Sequence, residues 1–286
     1  MQFDQDDIYK TYLATLLSSD RITPPGVPEV RHLVLQLPPG DFDFCEGQCA
    51  AVLIPGPHEF GNAVHARLYS IASSRSGENG KPGAISICVR RCFAIDPVSG
   101  EQFPGKASNY LCDAAPGDSV LIAGPYGAHF SIPPDPSAHM LMVGVGTGIA
   151  PFRAFVKRIY QELGGWQGKV RLFYGAQTGM EMLYQNDLNH DLSLYYDQDT
   201  FRAFEAVSPR PHFDEPPALD RLFAGNAREI WEMIQEPNTY VYIAGQVDAE
   251  QKFAKAMSDI AGSEQAWRHK RQQLVREQRY SELLHE

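Results

Sequence analysis

An odd number of cysteines, five in 286 residues, leaves little basis for a disulfide framework or a cysteine-built metal site. Cys45 and Cys49, like Cys88 and Cys92, are separated by three residues, and Cys112 stands alone. That spacing is neither a redox CxxC, nor a zinc quartet, nor a plant-type iron–sulfur site. The thiols read as reduced and buried, as in a cytosolic protein. Positive charge is also scarce: 25 Lys and Arg stand against 35 Asp and Glu, for a formal net charge of −10. This disfavours a nucleic-acid-binding surface while leaving room for a local basic patch facing an acidic protein. No apolar run is long enough to cross a bilayer, since the most apolar stretch, near residues 140–152, is short and rich in glycine. The opening MQFDQDDIYK is acidic and lacks the basic and apolar regions of a leader peptide. Repeats and low-complexity segments are missing as well. The expectation is a soluble cytoplasmic monomer with no metal, no membrane span and no nucleic-acid partner.

What is present is a globular composition, 43% hydrophobic and 21% charged, in a length that suits two domains. The first half carries short runs at residues 30–37, 48–54, 84–89 and 119–123, β-branched or alternating, and bounded by Pro, Gly or Asp. Such strands with little helix between them predict an antiparallel barrel or sandwich. The pattern changes at the Pro-rich segment near residues 133–136. Beyond it, residues 139–145, 169–174 and 240–244 read as strands and residues 150–163 as a helix, an alternation that predicts a parallel sheet of βαβ units. Residues 250–286 read as mostly helical. Two domains with a cleft between them suit a reaction between two bound cofactors.

Three strings carry chemistry. Arg67-Leu68-Tyr69-Ser70-Ile71-Ala72-Ser73-Ser74, read as a strand, sends Arg67 and Tyr69 to one face and Ser70 to the other. Arg67 is suited to a pyrophosphate and Tyr69 to covering a ring. Gly144-Val145-Gly146-Thr147-Gly148-Ile149-Ala150-Pro151 follows an apolar strand and opens a helix, where glycine admits close backbone approach and the helix N-terminus favours an anion. Tyr242-Ile243-Ala244-Gly245-Gln246 ends a late strand, the place where parallel sheets bind ligands.

With RLYSIASS at residues 67–74 and GTGIAPFRAF at 146–155, the chain resembles the plant-type ferredoxin–NADP reductase family. The intervening CVRRCFAIDPVSGEQFPGKASNYLCDAAPGD, LLSSDRIT near the start, CEGQ at 45–48 and GPYG at 124–127 extend the resemblance over nearly the whole chain. It implies an α+β two-domain protein: an N-terminal antiparallel β-barrel FAD-binding domain over 1–133, and a C-terminal α/β parallel-sheet nucleotide-binding domain over 137–286. It also implies an enzyme that exchanges electrons between NADPH or NADH and ferredoxin or a similar small acidic carrier. The alternative is the reductase component of an oxygenase system with a separate iron–sulfur carrier. Arg67, Leu68, Tyr69 and Ser70 would hold FAD, with Ser70 near the flavin nitrogen that receives hydride. Cys88, Val89 and Arg90 would line the adenosine, Ser108 a phosphate, and Gly146, Thr147, Gly148 and Gly245 the nicotinamide nucleotide.

Three positions depart from the family pattern. Ala244 stands where the family has a cysteine close to the nicotinamide. At the chain end, Glu282 matches the family's catalytic glutamate or His285 takes the place of its terminal aromatic ring, alignments that conflict by one residue; a frayed helical tail is the third possibility. In the 2′-phosphate pocket, Ser208 is followed by Pro209 and then Arg210, and Asp214-Glu215-Pro216-Pro217 replaces a basic residue and a tyrosine. Carboxylates repel a phosphate and accept hydrogen bonds from a ribose diol, so the expectation leans to NADH or to use of both nucleotides. Arg91, Lys106, Arg153, Lys157, Arg268, Lys270 and Arg271 are the candidate cations for docking ferredoxin.

Overall fold

The computed structural model describes residues 8, 10–40, 42–56, 58, 63–127, 130–196, 198–207 and 218–285. Eight strands form in the first half: β1 (Thr11–Arg21), β2 (Val30–Gln36), β3 (Cys49–Pro55), β4 (Val64–Ser70), β5 (Ala84–Arg90), β6 (Phe93–Ile95), β7 (Gln102–Pro104) and β8 (Ser119–Tyr126). Six of them make one antiparallel sheet in the order β4-β3-β8-β1-β2-β5, and β6 pairs with β7 in a separate hairpin. In β1 the side chains of Tyr12, Ala14 and Leu16 turn inward while Thr11, Leu13 and Thr15 face out, the period of two that a half-buried strand requires. The sheet curls until its edges meet in a single bridge, Ile71↔Ile87, which joins the end of β4 to β5. Leu111 and Cys112 of helix α1 (Lys106–Asp113) pack into the barrel core with Leu33, Val52, Ile87 and Ile122.

The second half is a parallel five-stranded sheet of β9 (His139–Val145), β10 (Val170–Ala176), β11 (Phe201–Val207), β12 (Thr239–Gln246) and β13 (Tyr280–His285), ordered β11-β10-β9-β12-β13. Helix α2 (Ala150–Lys157) runs into a π turn at Arg158–Glu162. Helices α3 (Ala218–Gly225), α4 (Ala227–Gln235), α5 (Val247–Ala261) and α6 (Glu264–Arg276) follow. One face of this sheet buries Leu141, Val143, Val241 and Ile243 against Phe223, Phe253 and Trp267. The other buries Met140, Met142 and Tyr242 in a cluster shared with Ile22, Ala72, Cys88 and Phe130 of the first half. Phe130 packs its ring against Phe152, Phe155 and Tyr242 at centroid distances of 5.8, 5.7 and 5.1 Å. Successive strands from β9 build outward on one side through β10 and β11 and on the other through β12 and β13. The reversal lies between β9 and β12, the kind of point at which open parallel sheets bind ligands beyond the carboxyl ends of their strands.

The mostly helical end expected for residues 250–286 is borne out by α5 and α6, but it closes on a strand: β13 pairs in parallel with β12 from Val241↔Tyr280 to Gln246↔His285. After α6 the chain reverses at Gln278, with φ +56°, and buried Arg279 donates to the Thr239 carbonyl at 2.8 Å, seating the last strand on the sheet edge. Among the described residues no helix is long and apolar enough to cross a membrane.

Candidate functional site

The glycine turn sits where the strand order reverses. A 3-10 turn over Gly146–Ile149 joins β9 to α2, and Gly245 ends the buried part of β12 beside it. The two turns are in van der Waals contact through bare backbone. A Cβ on Gly148 would lie 2.2 Å from the Ala244 carbonyl oxygen, and one on Gly245, at φ +122°, would lie 2.5 Å from the Val145 carbonyl oxygen. Gly146, by contrast, has φ +56° and open space where a side chain would project. Its carbonyl accepts a 3.0 Å hydrogen bond from the Tyr174 hydroxyl, which in turn accepts from the Leu183 N–H at 3.2 Å. The turn is thereby braced from below, with half-buried Thr147 between its glycines. Ala244 is buried, so the position of the family's cysteine holds a methyl group beside the glycine turn.

In the first half, β4 is an edge strand of the six-stranded sheet. Arg67 is exposed; its guanidinium donates to the Ala66 carbonyl at 3.2 Å, and no carboxylate pairs with it among the described residues. Tyr69 is half-buried against the barrel core, and burial pushes its phenol well above the usual range. Leu68 turns to the other face with Ala66 and Val64, so only its backbone is available to a ligand on the Arg67 side. The Ser70 hydroxyl lies 3.7 Å from the Cys49 thiol, its register partner across β3. Burial raises the pKa of Cys49, which therefore stays a neutral thiol.

The adenosine and phosphate assignments require correction at the side-chain level. Cys88 packs into the cluster shared by the two halves, where burial pushes its thiol up to about 12, and Val89 points into the barrel. Strand alternation buries both, one on each face. Their contribution to an adenosine is therefore the backbone of an edge strand, and of the three residues Arg90 alone is partly exposed. The Ser108 hydroxyl accepts the Cys92 N–H at 3.1 Å and donates to the Gly105 carbonyl at 3.3 Å, tying the start of α1 to the end of β5. A Cβ on Gly105 would sit 2.9 Å from that hydroxyl, so a larger residue there would have to displace the Ser108 side chain. The first turn of α1 carries no acid and no side-chain cap, so its N–H groups are oriented for an anion. An exposed arginine, an aromatic ring, two open strand edges and this helix start form a donor set that fits the phosphates and flat ring of FAD.

Glu282 is not brought to this site. It forms an ion pair with Arg271 of α6 at 2.7 Å, on the helix-covered face of the sheet, because alternation along β13 turns Leu283 toward the shared cluster instead. His285 is the residue at the chain end that reaches the barrel. It is exposed at the end of β13, and partial desolvation with the nearby Arg90 charge holds its imidazole below the usual range. Arg153 and Lys157, expected as docking cations, are buried at 3% and 5% exposure beside Glu78 and Asp191. Arg91 is held by Glu29 and Asp113, each at 2.8 Å. Ser208, Arg210, Asp214, Glu215 and Pro217 lie outside the described residues. The ion-pair cluster around Arg153 went unread in the sequence, since nothing in its spacing brings Glu78, Arg153 and Asp191 together.

Residues 142–255 match the family profile described as the oxidoreductase NAD-binding domain. Among curated proteins the chain is similar to the ferredoxin–NADP reductase of Spirulina sp, 36% identical over 266 residues covering 90% of each chain. It is likewise similar to the cyanelle ferredoxin–NADP reductase of Cyanophora paradoxa, 36% identical over 257 residues, covering 87% of this chain and 69% of that protein. Among solved structures, ferredoxin–NADP+ reductase from Plasmodium falciparum with 2′P-AMP superimposes with a TM-score of 0.71 over 96% of both chains at 19% identity, a likeness of fold.

Proposed function

The chain belongs to the ferredoxin–NADP reductase family, FAD flavoproteins that exchange electrons between NADP(H) and ferredoxin, and from that premise we propose which of its residues carry the exchange. Residues 1–133 form the FAD domain and 137–286 the nucleotide domain. Arg67 and the first turn of α1 hold the FAD pyrophosphate, the Tyr69 ring covers the flavin, and the open edge of β5 from Cys88 to Arg90 meets the adenosine through its backbone. Gly146, Thr147 and Gly148 cradle the dinucleotide, with Ala244 and Gly245 leaving room for its flat ring. Bound FAD supplies the change between a two-electron hydride and single electrons. The Ser70 hydroxyl orients the reacting edge of the ring, with the neutral Cys49 thiol as its neighbour.

The observation that carries this assignment is the packing of Ile149, at the end of the glycine turn, in one buried cluster with Ala72 and Cys88. The turn thereby faces the barrel strands that lead from Ser70 and toward Arg90. Nucleotide choice follows from Ser208, Arg210, Asp214 and Glu215, whose composition supports use of NADH at least as well as NADPH. The partner is a ferredoxin or similar acidic carrier, met by surface cations such as Arg268, whose exposed pairing with Glu264 leaves it open to water, rather than by the buried Arg153 or Lys157. The protein acts as a monomer without a nucleic-acid partner. Five unpaired cysteines support a reducing compartment such as the cytoplasm. Heating the purified protein and identifying the released flavin tests the assignment: FAD is expected, retained less tightly in Arg67→Ala, and release of FMN would overturn it.

A further inference from the structure

We propose that Arg153 is a positioning residue for hydride transfer, its guanidinium setting the flavin strand against the nucleotide turn. The inference rests on the placement of Ser70 and the Gly146–Gly148 turn at the reacting atoms. Arg153 lies one turn into the helix that the glycine turn opens. Its Nη1 donates to the Ala72 carbonyl at 2.7 Å, two residues beyond Ser70, and to Glu78 Oε2 at 2.9 Å. Its Nη2 donates to Glu78 Oε1 at 2.8 Å and its Nε to Asp191 Oδ2 at 2.5 Å, and its carbon sits 5.1 Å from the Tyr184 ring centroid. Each partner leads back to one half of the site. Ile71, just before Ala72, makes the bridge that joins β4 to β5, and Glu78 accepts the Ser86 hydroxyl of β5 at 2.7 Å. Tyr184 follows Leu183, whose N–H reaches Tyr174 and through it the Gly146 carbonyl.

One planar cation therefore holds the flavin strand, the start of α2 and the segment that braces the glycine turn. A plain stabilising role is the competing account, but desolvation makes buried ion pairs poor stabilisers. What the five-donor fork supplies is direction, which a lysine in the same place cannot reproduce. Hydride transfer needs that precision, because reacting atoms must approach to ~3–3.5 Å and a misplacement of about 1 Å costs on the order of 100-fold in rate.

Arg153→Lys, which keeps the charge and loses the fork, is the test in the full chain. Expected in the holoprotein is flavin reduction slowed on the order of 100-fold, with nucleotide affinity close to that of the parent. Expected in the flavin-free protein is a broadened distance distribution between nitroxides at Asp20→Cys and Gln251→Cys, in a background of Cys45→Ser and Cys92→Ser. A parental reduction rate together with a parental distance distribution would overturn the proposal. Should Arg153→Lys fail to fold, Glu78→Gln takes its place with the same expected and overturning results. If Ser70→Ala and Gly148→Ala leave flavin reduction unchanged, the assignment of the reacting site fails, whereas the distance measurement still decides whether Arg153 fixes the two halves.

Discussion

A Cβ placed on Gly148 would lie 2.2 Å from the carbonyl oxygen of Ala244, so the turn after β9 and the end of β12 are pressed backbone to backbone at the point where the strand order reverses. Neither partner has a flexible tip to move aside. Gly148→Ala must separate the two turns, and it should raise the nucleotide dissociation constant at least ~10-fold while destabilising the fold by about 1–3 kcal/mol. Gly146→Ala meets open space, and its positive φ costs only about 1–2 kcal/mol. Titration of both variants with nucleotide checks the contrast; an equal rise in dissociation constant would mean that the contact does not shape the site.

Ser70→Ala removes the hydroxyl assigned to the reacting edge of the flavin and leaves β4 intact. Loss of one positioned hydrogen bond of this kind lowers a rate by ~100-fold or more. Stopped-flow reduction of the flavin should show that loss with FAD and nucleotide affinities little changed. An unaltered rate would remove Ser70 from the chemistry.

Acid should loosen the junction between the halves through His32. Its Nδ1 lies 3.0 Å from the Tyr184 hydroxyl and its Nε2 3.8 Å from Glu78, with Arg153, Lys157, Asp191 and Cys88 around it. Burial, reinforced by the Arg153 charge, lowers its pKa from 6.5 to about 4. The unfolded chain then binds a proton at higher pH than the folded one, so this contribution is full above 6.5 and falls as pH drops toward 4. Between pH 7.5 and 5 the loss is about 2 kcal/mol. Glu78 adds to it at lower pH: burial opposes its charge, but Arg153, His32 and Lys157 hold it well below the carboxylate range. Urea unfolding of the parent and of His32→Gln at the two pH values should differ by that amount, and parallel losses would exclude His32.

Nucleotide choice is the prediction drawn from sequence alone. Asp214 and Glu215 stand where the family places a basic residue, and a carboxylate 4 Å from a phosphate charge near a surface costs ~4 kcal/mol. Arg210 offsets part of this from behind Pro209, whose ring fixes the local backbone. The kcat/KM for NADH should equal or exceed that for NADPH. A tenfold preference for NADPH would show that Ser208 and Arg210 suffice.

The architecture was legible where period and punctuation agree. Alternation in residues 84–89 and the apolar run at 139–145 appear as β5 and β9, and the glycines at 146 and 148 end up at the reversal of strand order. Residues 280–285 were not legible, because the pattern of α6 runs on until Gln278 turns the chain and pairing with β12, a long-range contact, makes a strand. Glu282 was misread for the same reason: its direction depends on the register of that strand against Ile243. For Arg153 and Lys157, positive charge in the sequence pointed to a surface, whereas Glu78 and Asp191, 75 and 38 residues away from Arg153, bury it. For Cys88 and Val89 the sequence does not show that both faces of β5 are covered, which buries both side chains.

Anaerobic mixing of the purified protein with NADH or NADPH in the presence of ferredoxin tests the central claim most directly. The account predicts that the yellow flavin absorbance bleaches on adding nucleotide and that ferredoxin is then reduced, two equivalents for each nucleotide oxidised. A flavin that stays oxidised with both nucleotides, or ferredoxin that stays oxidised after the flavin has bleached, would contradict it.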